Sequence, residues 1–112
     1  GGMPGTLNLE RSDKVNAFID YAFENGKLLC AICAAPSILG HKGMLRGKKA
    51  VCFPGFESEL EGAELSDSFV VSHGNIITAK GMGSAVKFGL AIASVFVGKA
   101  KAKKIEESLQ CS

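Results

Sequence analysis

An α/β fold built on a mostly parallel sheet is predicted for this sequence, on three observations. Leu28–Ile32 is an apolar run without polar alternation, as a parallel strand covered on both faces requires. An amphipathic helical pattern stands directly before it, which makes a helix-to-strand unit of α/β type. Two short strand-like runs, 68–72 and 76–79, flank His73-Gly74-Asn75, a hairpin-turn sequence, and a long apolar helix follows them.

Taken in order, Gly1-Gly2-Met3-Pro4-Gly5 reads as a loop. A Gly-Gly turn usually follows a strand, so preceding sequence is expected on a separate piece or another chain; a flexible expression remnant is the plainer alternative. Ser12 is a good helix N-cap and Asp13 suits the first turn. Val15, Phe18, Ile19, Ala22 and Phe23 then recur on one helical face, and Asn25-Gly26 ends the helix. The strand runs to Cys33. Pro36 cannot extend a strand ladder but fits a helix start, so 37–44 continue as a short helix. Ala50–Phe53 is a brief strand broken by Pro54-Gly55, and 57–61 form one solvated helical turn. Gly81-Met82-Gly83-Ser84 is a tight loop opening the long helix. There Val86, Leu90, Ala93 and Val97 keep helical spacing, while Phe88, Ile92 and Phe96 widen the apolar face. So broad a stripe suits a helix packed on a sheet or against another subunit. Gly98 ends it, and a final lysine-rich helix closes the chain.

The 112 residues make one domain at most, and the 46% hydrophobic fraction suffices for a core. No stretch has transmembrane length and no signal peptide is visible. A net charge of +2, one tyrosine and no tryptophan argue against nucleic acid binding. The four cysteines include Cys30 and Cys33 in or beside an apolar strand and Cys111 in the tail. That distribution suits a reduced, cytoplasmic protein better than a disulfide framework.

Cys33 carries the candidate chemistry. It sits where a strand turns into a helix, beside the free N–H groups of a helix start, a setting that favours a thiolate. Spacing alone leaves it either an inert core cysteine or a nucleophile. The strand–Cys–Ala–Ala–Pro–helix context favours the nucleophile, being mechanically akin to the nucleophile corner of α/β hydrolases. Cys30-x-x-Cys33 is not read as a redox or zinc motif. Residues three apart on a strand face opposite sides, Cys30 is expected to be a buried apolar residue, and His41 and Cys52 add no ligand spacing. Neither His41, two turns into the next helix, nor His73, beside the hairpin, makes a convincing base. Gly81-x-Gly83 could hold an anion, though a plain turn explains it as well. The lysines from 99 to 104 read as a solvated helix face. No cofactor or metal is expected.

Together Gly1–Gly5, Ala31-Ile32-Cys33-Ala34-Ala35-Pro36, Phe53-Pro54-Gly55-Phe56-Glu57, Gly74–Thr78 and Lys80–Ser84 resemble the DJ-1/ThiJ/PfpI superfamily, most closely its DJ-1/ThiJ branch, over nearly the whole chain. The resemblance implies a flavodoxin-like three-layer α/β/α sandwich and usually a homodimer. It makes Cys33 the nucleophile, with backbone N–H groups of Gly2 and Ala34 serving the pocket, and it places Gly1, Phe53, Pro54 and Gly81 along the pocket wall. The protease-like branch has histidine after the cysteine. Ala34 stands there, so no peptidase is expected. DJ-1 itself has a histidine where this chain has Phe53. The glutamate that serves the family's cysteine comes from a segment ahead of the Gly-Gly loop, and Glu10 does not match it. Residues 1–112 are therefore expected to be the C-terminal portion of one such domain, completed by an N-terminal fragment or chain. The expected function is stress response through Cys33 acting on small reactive carbonyls, as a glyoxalase or deglycase. The alternative is a redox sensor or redox-linked chaperone, in which an oxidant acts on the same sulfur.

Overall fold

The computed structural model describes residues 1–110. Cys111 lies outside them. The elements run α1 (Gly5–Glu10), α2 (Asp13–Glu24), β1 (Leu29–Ile32), α3 (Pro36–His41), β2 (Lys49–Ala50), β3 (Glu64–Leu65), β4 (Val70–His73), β5 (Ile76–Ala79), α4 (Ala85–Val97) and α5 (Lys99–Ser108). Short 3-10 turns at Glu57–Glu59 and Met82–Ser84 complete the list.

The main sheet has the order β1-β5-β4. β1 runs parallel to β5, with Leu29 opposite Ile76 and Ile32 opposite Ala79; β4 pairs antiparallel with β5. β5 is central, and Ile76, Ile77, Thr78 and Ala79 are all buried. The one polar side chain among them is satisfied: Thr78 Oγ1 accepts the Val51 N–H at 3.1 Å. β2 and β3 make a separate parallel pair. α4 lies across β5, β4 and β1, and α5 folds back on α4. The core gathers Ala31, Leu39, Leu45, Cys52 and Ile76, with Ile19 and Phe23 of α2 against it.

Local chemistry accounts for the helix ends. Ser12 Oγ accepts the Val15 N–H at 3.3 Å, a cap worth about 1 kcal/mol. The Asn16 amide donates to Glu10 O at 2.7 Å and Ser12 O at 2.9 Å, tying α1 to α2. Gly98, at φ +85, supplies the left-handed residue that ends α4.

Four expectations change, and a fifth, α4 packed on the sheet, is met with part of the stripe left open. Gly5 opens α1 rather than closing a loop, and the Thr6 N–H reaches Gly2 O at 2.8 Å. Phe18 is 76% exposed; at 100° per residue it stands at the margin of an arc centred on Ile19 and Phe23. Cys30 is exposed on β1, which is an edge strand of the main sheet. The strand expected at 50–53 is ladder-paired only at Lys49–Ala50. None of α4 is fully buried and Phe96 is 72% exposed, so the sheet covers one side of that broad stripe and leaves the other open.

Two tests follow from the packing. Gly40 of α3 meets the Glu57–Glu59 turn so closely that a Cβ there would come within 2.1 Å of Glu59 O. Gly40→Ala is expected to lower unfolding free energy by about 2–3 kcal/mol in urea melts; a change under ~0.5 kcal/mol would contradict this contact. His41 Nδ1 lies 2.5 Å from Glu10 Oε2, and its Nε2 lies 3.6 Å from Glu59 Oε1. The hydrogen bond to Glu10 raises the imidazole above its ordinary 6.5, with burial opposing and both carboxylates adding. A raised folded value gives stability that is present in full below the unfolded value and lost as pH rises through the folded one. The urea-midpoint gap between wild type and His41→Gln is expected to be widest just below pH 6.5 and to close at alkaline pH. A gap independent of pH would contradict the ion-pair account.

Candidate functional site

The carboxyl ends of β1 and β5 lie side by side, the place where open parallel sheets present their ligand sites. Cys33 follows β1 there with φ +68, the left-handed region that side-chain-bearing residues seldom occupy. Backbone bonds fix it on both sides. Its N–H donates to Ala79 O at 2.9 Å, and its carbonyl accepts the Phe53 N–H at 2.8 Å. The Ala35 N–H closes the turn on Ile32 O at 3.2 Å. Ser37 Oγ donates to Ala34 O at 2.6 Å, and Pro36 opens α3. Ala34, Ala35 and Pro36 are buried, while Cys33 keeps partial exposure.

The N-terminal loop reaches the same corner. A Cβ on Gly1 would stand 2.7 Å from Ile32 O and 3.2 Å from Cys33 Cβ, so only glycine allows this approach. Gly2 follows at φ +72. Among the described residues, neither the Gly2 nor the Ala34 N–H donates a backbone hydrogen bond. The corner thus holds a thiol and two nearby amides that make no backbone hydrogen bond.

Phe53 links the corner to a cavity. Its amide bonds Cys33, and its ring meets Gly81, where a Cβ would lie 3.1 Å from Phe53 Cδ2. Phe53, Pro54, Phe69, Lys80, Gly81 and Met82 line a cavity of about 300 Å³. Cys33 and Gly1 are not among its walls. The Gly81 N–H is taken by Ser84 Oγ at 3.2 Å, and that hydroxyl donates back to Gly81 O at 2.8 Å, which makes this glycine turn a self-satisfied bend. His41 is occupied by Glu10 and Glu59, and His73 Nδ1 accepts the Lys49 N–H at 3.1 Å. Among the described residues, no group of three or more His, Cys, Asp or Glu is placed to hold a metal. Among the described residues, no helix is long and apolar enough to cross a membrane.

One neighbour escapes the sequence reading. Cys52 is buried beside the corner, one residue before the Phe53 amide that bonds Cys33. Burial first, then the Glu57 carboxylate and Cys33, push its thiol up to about 11. It also lines a cavity of about 260 Å³ with Glu57, Asp67 and Lys80. The only sign in the sequence was a cysteine in the apolar run ahead of Phe53-Pro54.

Comparison with known proteins agrees with this fold. The sequence model of the DJ-1/PfpI family matches residues 1–95. Protein dj-1beta of Drosophila melanogaster is 33% identical over 111 residues, covering 97% of this chain and 59% of that protein. The structure titled Toxoplasma gondii DJ-1, oxidized, superposes with a TM-score of 0.91 at 35% identity, covering 98% of this chain and 60% of that one. A Caenorhabditis elegans protein named as a glutathione-independent glyoxalase is 28% identical over 110 residues, 96% of this chain and 59% of its own length. The chain therefore spans about three fifths of each of these relatives, and its fold is the flavodoxin-like α/β fold of these neighbours.

With its thiol near 11, Cys52 holds about one thiolate in ten thousand at pH 7. Iodoacetamide at neutral pH is expected to label exposed Cys30 while leaving Cys52 of the folded protein unmodified, as read by peptide mass mapping. Comparable labelling of the two would contradict the burial described.

Proposed function

The chain belongs to the DJ-1/PfpI family, and from that premise we propose that it serves in stress response, with Cys33 as a nucleophile toward small reactive carbonyls. The observation that supports this reading is the corner itself: a thiol on a left-handed residue, near Gly2 and Ala34 amides that make no backbone hydrogen bond. The glyoxalase name of a 28% identical relative supports the substrate class.

For a dicarbonyl such as methylglyoxal, the Cys33 thiolate attacks the aldehyde carbon. The C–S bond forms, and the carbonyl electron pair moves to oxygen, where the two N–H groups receive it. A base then carries the proton from that carbon to its neighbour, and water hydrolyses the resulting thioester to the hydroxy acid. Glu57 is ill-suited as the base, because its carboxylate is held on the Gly55 N–H at 2.7 Å and its influence falls on Cys52. We assign the base to a carboxylate from a further segment of the domain, lying beside edge strand β1. On this reading residues 1–112 are the C-terminal portion of one DJ-1-like domain, and a second copy covers an exposed apolar face to make a homodimer in the cytoplasm. A sensor role through oxidation of Cys33 is the alternative, favoured by the oxidized state named for the Toxoplasma gondii relative.

Cys33→Ser is expected to lower methylglyoxal turnover at least ~100-fold, measured as loss of the dicarbonyl against a circular-dichroism control for folding. Turnover unchanged in this variant would sink the enzymatic reading and leave the sensor.

A further inference from the structure

The carbonyl mechanism makes no use of the buried thiol beside Cys33. We propose that Cys52 is a resolving cysteine: once a hydroperoxide has oxidised Cys33, Cys52 closes an intramolecular disulfide with it. This deepens the sensor alternative and rests on Cys33 being the reactive thiol.

Backbone geometry supplies the reach. The 2.8 Å bond from the Phe53 N–H to the Cys33 carbonyl fixes the preceding residue, Cys52, against Cys33. Four covalent bonds and that hydrogen bond join the two α-carbons, which keeps them within about 4.5–7 Å, overlapping the span a disulfide bridges. Cys33 is also among the groups whose charge acts on the Cys52 thiol. Cys30 is a poor competitor, since three residues along an extended chain separate α-carbons by about 10 Å. Cys52 is 3% exposed and stays protonated at neutral pH, so peroxide from solution meets Cys33 first.

The chemistry balances in two steps. Cys33 takes the distal oxygen of the hydroperoxide, becoming a sulfenic acid and releasing an alcohol or water. The Cys52 sulfur then attacks the Cys33 sulfur; the S–S bond forms, the S–O bond breaks, and hydroxide leaves as water with the Cys52 proton. A dithiol reductant restores both thiols. The disulfide spares Cys33 from further oxidation to sulfinic acid.

The test treats the protein with a small excess of hydrogen peroxide, at least about two equivalents per chain, then blocks remaining thiols and maps peptides without reduction. A Cys33–Cys52 crosslinked peptide, two hydrogens lighter than its parts and split by dithiothreitol, is expected. In Cys52→Ala, and in Cys52→Ser as a second variant, Cys33 should instead gain two oxygens at the same dose. Sulfinate on Cys33 with Cys52 free in the wild type would overturn the pairing alone, as would a Cys33 bond to Cys30 or Cys111. Peroxide leaving Cys33 untouched would overturn the reactive-thiol reading with it.

Discussion

The backbone bend at Cys33 is the constraint on which the rest of the site depends. A residue with a side chain held at φ +68 costs on the order of 1 kcal/mol or more, and it persists only where its surroundings over-determine it. Here they do so from two directions. Ala79 at the end of β5 takes the Cys33 N–H, and Phe53 gives its own N–H to the Cys33 carbonyl. Buried Pro36 leaves the chain no way to continue as a strand. The parallel pairing of β1 with β5 is therefore what aims the sulfur, since it brings Ile32 opposite Ala79 and delivers both strand ends to one rim.

The clamp also explains why the neighbours are what they are. Gly1 packs on Ile32 O and Cys33 Cβ with no room for a side chain, and Gly81 lies close against the Phe53 ring. The segment after β2 cannot stay in its short ladder with β3, because Val51 and Phe53 spend their amides on Thr78 and Cys33. That diversion carries Cys52 into the core next to the corner. Two cysteines of contrasting character result: one half-buried on a strained turn, the other buried near Glu57 with its thiol pushed up to about 11.

Where local chemistry decides, the sequence was readable. Ser12 and Val15 form the expected cap, Asn25-Gly26 stop α2, and Gly74-Asn75 join β4 to β5 as a two-residue turn. The corner was readable too, because an apolar run ending at Cys33 and a proline three residues on admit few alternatives. Where tertiary context decides, it was not. Periodicity gives an arc without its centre, so Phe18 was placed inside and stands outside. A strand of apolar residues does not announce whether both faces are covered, so Cys30 was misplaced. α1 has six residues and no side-chain cap, and β3 has two exposed residues paired with β2; neither leaves a local signature. The approach of Cys52 to Cys33 crosses the whole excursion through α3, and it is the Phe53 N–H bond to the Cys33 carbonyl that reveals it.

Competitive alkylation tests the central claim most directly: labelling rates of Cys30, Cys33 and Cys52 at neutral pH, read peptide by peptide in the folded and the urea-unfolded protein. The account predicts that Cys33 outruns both others by at least ~tenfold when folded and loses that lead on unfolding. Cys33 reacting no faster than Cys30 in the folded protein would mean that the bend confers no chemistry on its sulfur.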